Sequence, residues 1–299
     1  MKKFYFISDA HLGTRMEKNP RAHEHKLVAW LDTVKTDAEA IFMVGDMFDF
    51  WYEYQTVVPK GYVRFLGKMA ELVDSGIEIH FFTGNHDIWT FGYLENEVGI
   101  TVHRQAQTMT LGSKRFFITH GDEVSCDNNF RRKIFHSPFF QRLFQLVPPR
   151  IGQNFGFAWS KRNREKLNPD DTKYKGEQNE PLIIFAKKYF ENYPDVDFAV
   201  FGHRHIQLDL QVQNQKRVVM LGDFVKLFSY GVFDGENFWL ENFELNRVNI
   251  QIHPKRLEFR VGEQMICELA KNLFCLLCRS VKFDFQQNVL YVHILNARN

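Results

Sequence analysis

The sequence predicts an α/β protein, and two observations carry the prediction. Short apolar runs typical of buried strands alternate with amphipathic helical stretches through the first 124 residues. Five Asp- and His-bearing motifs each begin where one of those apolar runs ends, the position at which open α/β sheets hold their ligands.

The elements follow in order. Phe4–Ser8 reads as a buried strand and Ala22–Val34 as an amphipathic helix. Ala40–Val44 is a second strand, and Tyr62–Val73 a helix with Leu66, Met69 and Val73 on one face. Ile77–Thr83 is a third strand, and Gln107–Leu111 and Arg115–Thr119 flank Gly112-Ser113 as a hairpin. Residues 125–180 break the rhythm and read as a helical insertion or lid. Pro181–Asn192 is a helix opened by proline. Strands follow at Phe198–Phe201 and near 207–213, 216–222, 228–233 and 237–244, the last two joined by an Asp234-Gly235 turn. Residues 1–246 are thus expected to form one domain. Residues 247–299 read as a C-terminal extension, with a helix expected at Ile266–Leu277 and a strand at Val289–Leu295.

Composition excludes several classes. The chain has 299 residues, 38 basic and 36 acidic, and is 44% hydrophobic, too apolar for disorder. No apolar run reaches the roughly 18 residues of a membrane span. Phe4–Ile7 is too short for a signal-peptide core, so a cytoplasmic location is expected. Four cysteines, Cys126, Cys267, Cys275 and Cys278, make no disulfide framework. Cys275-x-x-Cys278 reads as apolar helix residues.

The motifs are Asp9-Ala10-His11, Gly45-Asp46-Met47-Phe48-Asp49, Gly84-Asn85-His86-Asp87, His120-Gly121-Asp122 and Gly202-His203-Arg204-His205. Asp9 and Asp46 supply carboxylate oxygens, Asn85 an amide oxygen, and His11, His120, His203 and His205 imidazole nitrogens. Mixed N/O donors without thiolate suit Mn, Fe or Zn. Seven donors exceed one tetrahedral ion and suit two ions that share a carboxylate, an arrangement able to clamp a phosphate. Asp49 either orients a ligand or caps a following helix.

In order and spacing these motifs resemble the calcineurin-like metallophosphoesterase superfamily across roughly residues 3–245. The resemblance implies a two-sheet α/β sandwich flanked by helices. It implies one ion on Asp9, His11, Asp46 and His205, and a second on Asp46, Asn85, His120 and His203, with Asp46 bridging. It also implies that His86 contacts the scissile phosphate and protonates the leaving group. Asp87, the next residue, is expected to orient the His86 imidazole.

The insertion bears on substrate. Between Arg131 and Lys175 lie eleven basic and three acidic residues. Phe135, Phe139, Leu143 and Leu146 recur there at helical spacing. Basic residues beside an apolar face fit a membrane surface or an anionic amphiphile; the alternative is a helical hairpin that buries its own Phe residues. The order HGD, Cys-Asp, basic aromatic insert and Gly-His-x-His is similar to the UDP-2,3-diacylglucosamine pyrophosphatases of lipid A synthesis. That resemblance implies a dimetal hydrolase, with Mn²⁺ favoured, acting on a UDP-linked acylated sugar under a helical lid. It implies peripheral contact with the cytoplasmic face of the inner membrane. It marks Asp127, Ser160, Arg164 and Lys166 for substrate contacts. The sequence departs from the best-known members in carrying His86 where they carry Arg. Two rivals are a nuclease or nucleotide phosphodiesterase and a non-catalytic scaffold. Basic residues interleaved with buried-type Phe, and a net charge of only +2, disfavour nucleic acid; a full set of donors disfavours the scaffold.

Overall fold

The computed structural model describes residues 2–15, 19–125, 135, 137–165, 173–243, 249–253, 256–260, 278–284 and 289–294. The chain divides into two compact units, Met1–Phe243 and Glu244–Asn299. No helix among the described residues is long and apolar enough to cross a membrane.

In the first unit the order is β1 (Lys3–Ile7), α1 (Pro20–Val34), β2 (Ala38–Val44), α2 (Val63–Asp74), β3 (Glu78–Phe82), α3 (Tyr93–Asn96) and β4 (Thr101–His103). Then come β5 (Gln107–Leu111), β6 (Lys114–Thr119), α4 (Asp122–Ser125), α5 (Pro138–Phe144), α6 (Pro149–Glu165) and α7 (Pro181–Asn192). The unit closes with β7 (Phe198–Phe201), β8 (Gln207–Gln211), β9 (Arg217–Leu221), β10 (Ser229–Phe233) and β11 (Phe238–Asn242). Two mixed sheets result, ordered β11-β10-β1-β2-β3-β4 and β5-β6-β7-β9-β8. β1 to β4 are parallel in the first sheet, and β6, β7 and β9 in the second.

Alternation along the strands builds the layers. Phe4 and Phe6 of β1, with Phe42 and Val44 of β2, meet Phe116, Phe198 and Phe238 between the sheets. Tyr5, Ile7, Ile41 and Met43 point the other way, onto Leu27 and Trp30 of α1 and Phe65 and Met69 of α2. Both faces of β1 and β2 are therefore buried, as parallel strands require. α7 covers the second sheet through Leu182, Ile183, Ala186 and Phe190.

α1 starts where Asn19 accepts a hydrogen bond from Ala22 N at 3.1 Å and Pro20 opens the first turn. Glu24 of α1 in turn accepts from Arg64 N and Phe65 N, at 3.0 and 3.2 Å, and so caps α2. α2 buries Phe65, Met69 and Leu72, and the expected Leu66 and Val73 pack half-buried against the same core. Packing of Phe65 against Phe48 fixes the rotation. β4 had no expectation in the sequence, being three residues long.

The insertion is helical over Pro138–Phe144 and Pro149–Glu165, while residues 173–180 form turns and irregular backbone. Gly156 of α6 lies against the Phe50 ring, where any Cβ would strike it. Phe135, Phe144 and Phe157 pack on Phe50, Tyr52, Tyr54 and Trp89. The expected helical stripe splits: Phe135 packs inward, while Phe139, Leu143 and Leu146 are exposed. Ile151 and Phe155 of α6 are exposed as well, so a hairpin that buries all its own apolar residues is not what forms.

The second unit has β12 (Asn249–His253), β13 (Arg256–Arg260), β14 (Cys278–Asp284) and β15 (Val289–Ile294) in an antiparallel sheet ordered β12-β13-β15-β14. Cys278 opens a strand, which corrects its reading as a helix residue. The expected helix Ile266–Leu277, with Cys275, lies outside the described residues.

Candidate metal centre

β1, β2, β3, β6 and β7 end at one edge of the sandwich, and the five motifs follow them directly. The loops are tied to each other. Asp9 N donates to Gly45 O at 3.0 Å, His11 N to Asp46 O at 2.9 Å, and Gly202 N to His120 O at 3.0 Å. His203 N donates to Asp9 Oδ2, and His86 N to Asp46 Oδ1, both at 2.9 Å. These ties force unusual backbone. Asp9, His11, Asp46, His203 and His205 have φ of 52°, 43°, 54°, 67° and 53°, five of the nine non-glycine residues with positive φ among those described. Such conformations persist where the surroundings over-determine them, and they cluster at functional sites.

The donor atoms converge. Those of Asp9, His11 and His205 lie within 4.8 Å of one another, as do those of Asp46, His120 and His203. His11, Asp46 and His86 form a third such group that joins the two. His11 Nε2 is 3.4 Å from His205 Nε2 and 3.7 Å from Asp9 Oδ1. His120 donates Nδ1–H to Val44 O at 2.9 Å, which turns Nε2 toward Asp46 Oδ2 at 3.4 Å.

Asp9 Oδ1, Asn85 Oδ1 and His120 Nε2 are buried with no hydrogen-bond partner. Buried polar atoms are ordinarily satisfied, and three bare donor atoms at one edge are what a cation would complete. Charge tells the same story. Burial opposes ionisation of Asp9, yet the charges of His205, His11 and His120 outweigh it and hold the carboxyl below the usual range. Asp46 is held well below that range against burial by His120, His86 and His11. Burial likewise opposes charge on His120, but Asp46 holds it well above the ordinary histidine value. His203 is pushed down to about 4 by burial and by His120. A divalent cation would supply the positive charge that protons supply here. The oxygen and nitrogen donors fit such an ion.

His86 donates Nδ1–H to the Asp49 carbonyl at 2.8 Å, and its Nε2 lies 4.0 Å from Asp46 Oδ2. The expected pairing with Asp87 is therefore corrected. The Asp87 carboxylate instead accepts from Gly84 N at 2.7 Å and Met47 N at 2.8 Å, tying the Asn85 loop to the Asp46 loop. Ser160 is also corrected as an open contact: it is buried and donates to Asp49 Oδ1 at 2.9 Å. That oxygen lies 3.8 Å from His11 Nδ1, and no helix begins near Asp49. Asp49 thus faces a donor histidine. Asp127 and Lys166 lie outside the described residues, as does the side chain of Arg164 on α6.

Two contributors escaped sequence reasoning. Asp223 Oδ2 sits 3.7 Å from His205 Nδ1, while its Oδ1 accepts from Val225 N at 2.9 Å and Lys226 N at 2.5 Å. Gly222-Asp223 follows β9 as Gly45-Asp46 follows β2, so the signal was present. Glu180, wholly buried, accepts from Arg204 Nε at 2.6 Å and Nη2 at 3.3 Å. This pair anchors the residue between His203 and His205.

Beside the edge, Trp89, Phe135, Phe140, Leu143, Phe144 and Phe155 line an apolar cavity of about 220 Å³.

Comparison with known proteins agrees with the geometry. The family profile described as calcineurin-like phosphoesterase matches residues 2–207. A UDP-2,3-diacylglucosamine hydrolase of Porphyromonas gingivalis is 43% identical over 256 residues, covering 81% of this chain and 98% of that protein. One of the same name from Haemophilus influenzae (strain PittGG) is 28% identical over 236 residues, covering 77% and 93%. Among solved structures, a novel archaeal phosphodiesterase aligns at a TM-score of 0.41 and 12% identity, covering 81% of this chain and 99% of that one. So distant a likeness adds nothing to the assignment.

Proposed function

The chain belongs to the calcineurin-like phosphoesterase family, and from that premise we propose that it hydrolyses the diphosphate of UDP-2,3-diacylglucosamine. The observation that carries this is a set of converging, unsatisfied donor atoms together with an apolar cavity that the insertion helices line with Trp89. A substrate with a diphosphate at one end and acyl chains at the other matches both. The 43% identity to a relative bearing that name supports the same substrate.

Asp9, His11, Asp46 and His205 would hold one ion, and Asp46, Asn85, His120 and His203 the other, with Asp46 shared. Mn²⁺ is our choice for both. When bound, such ions neutralise phosphate charge and lower the pKa of water. The chain's own residues do the rest. A water oxygen bonds to one phosphorus, the bridging P–O bond breaks, and UMP and 2,3-diacylglucosamine 1-phosphate result. His86 has its Nδ1–H committed to the Asp49 carbonyl, so Nε2 faces the reacting phosphate. It gives a proton to the leaving oxygen when the ring is an imidazolium. Asp87 holds the two loops in register rather than taking part in proton transfer. Asp127, Arg164 and Lys166 remain proposed contacts to the head group.

The domain from 1 to 246, with its lid at about 125–180, would contain the whole site, leaving 247–299 as an extension. Exposed Phe139, Leu143, Leu146 and Ile151 stand among exposed Arg142, Arg150, Lys161 and Arg162. We read this surface as resting on the cytoplasmic face of the inner membrane, where such an amphiphile resides.

The test compares UDP-2,3-diacylglucosamine with UDP-glucosamine that lacks both acyl chains. UMP release is expected from the acylated substrate at concentrations where the bare one is inert. Each buried methylene contributes about 0.8 kcal/mol. Equal turnover of both would overturn the lipid assignment.

A further inference from the structure

We propose that His23, which lies on α1 outside every ligand loop, is a positioning residue for the ion held by Asp9, His11 and His205. This inference rests on the dimetal reading above.

The argument starts from the carbonyls of the Asp9–His11 turn. Asp9 O accepts from Phe224 N at 3.2 Å, and His11 O from Thr14 N at 3.1 Å. Ala10 O, between them, meets His23 Nε2 at 2.6 Å. A carbonyl oxygen only accepts, so that nitrogen carries the proton. Ala10 has no exposed surface and His23 is buried, so no solvent would replace the bond.

The other end of the same peptide is also held. His11 N donates to Asp46 O at 2.9 Å. The plane joining Ala10 to His11 is thus pinned by α1 on one side and by the Asp46 loop on the other. Rotating a peptide plane changes ψ of the residue before it and φ of the residue after it. His11 sits at a φ of 43°, a region a residue with a Cβ leaves unless held there. Turning this plane would release His11 from it, and the bond from His23 opposes that turn. His11 would then carry Nε2 away from its places 3.4 Å from His205 and 3.7 Å from Asp9. Asn85, His120 and His203 stem from the ends of other strands, so the second ion shares only Asp46 with this turn and is disturbed less.

The test is a Mn²⁺ titration of the metal-free full chain, counting ions and their affinities, in wild type, His23→Leu and His23→Gln. The glutamine amide reaches about as far as imidazole Nε2 and donates. His23→Asn, whose amide stops short, replaces His23→Leu should the latter fail to fold. We expect two ions in wild type. The leucine variant should hold one ion as wild type does and the other at least about tenfold more weakly, the usual cost of losing an outer support. His23→Gln should recover most of that loss. Undiminished binding in His23→Leu, equal weakening of both ions, or a glutamine variant as impaired as the leucine would overturn the inference alone. Fewer than two ions in wild type would overturn the dimetal reading and this inference with it.

Discussion

Ser160 donates its hydroxyl proton to Asp49 Oδ1 at 2.9 Å, and that same oxygen lies 3.8 Å from His11 Nδ1. One buried acid thus joins α6 to a histidine of the candidate metal centre. Lid and ion site are built as one object, although 111 residues separate Ser160 from Asp49.

Ser160→Ala should therefore loosen the lid while leaving the ions in place. Losing a hydrogen bond to a buried carboxylate costs about 1–3 kcal/mol, and the lid bears that cost. KM for the acylated substrate should rise about tenfold, the equivalent of roughly 1.4 kcal/mol, with metal content unchanged. Unaltered KM would argue that the lid does not need this contact.

Gly84→Ala should abolish metal binding without unfolding the chain. A Cβ at this position would strike the Asp46 carboxylate and come within 2.6 Å of Asp46 N. Asp46 would be displaced from both donor groups at once. Elemental analysis should find the purified variant near metal-free, with a wild-type circular dichroism spectrum. A full complement of ions would contradict the shared role of Asp46.

Glu180→Ala should destabilise the fold strongly. The change removes the wholly buried carboxylate that holds the Arg204 guanidinium, whose bond to Lys173 O at 3.5 Å is far weaker. Breaking one side of a buried pair costs about 3–5 kcal/mol, to be read as a lowered urea midpoint. A shift below about 1 kcal/mol, typical of a surface pair, would refute it.

Acid should weaken the fold through the first sheet. His103 is pushed down to about 4, first by burial and then by the charge of His80. His80, 3.0 Å away from it, is lowered as well, chiefly by burial. The unfolded chain takes up a proton near pH 6.5, where folded His103 does not. Stability thus falls as pH drops from about 6.5 to about 4. Urea midpoints across that range should fall less steeply for His103→Gln than for wild type. Parallel curves would dismiss the pair as a cause.

Much of this was legible in the sequence. Strand runs such as Ala40–Val44 declare themselves because both faces are buried and every residue is apolar. The seven candidate donors stand out because each follows a strand end and brings an atom type an ion would need. What stayed hidden depends on partners distant in sequence. Asp87 looked like the natural support for adjacent His86, yet neighbours around a turn point apart. The imidazole found the Asp49 carbonyl, and the carboxylate found the backbone of Gly84 and Met47. His23 drew no notice in the sequence, since nothing local marks a bond to Ala10. Phe65 and Leu72 were missed in the α2 face because period alone cannot fix rotation by one residue; contact with Phe48 does.

The most direct test of the whole account is UMP release from UDP-2,3-diacylglucosamine with Mn²⁺, by wild type beside Asp46→Ala. Turnover by wild type, lost in Asp46→Ala along with bound metal, is the result the account predicts. Wild-type protein that carries two ions and cleaves a simple phosphodiester but releases no UMP would contradict the lipid substrate. Turnover that survives Asp46→Ala would contradict the metal centre itself.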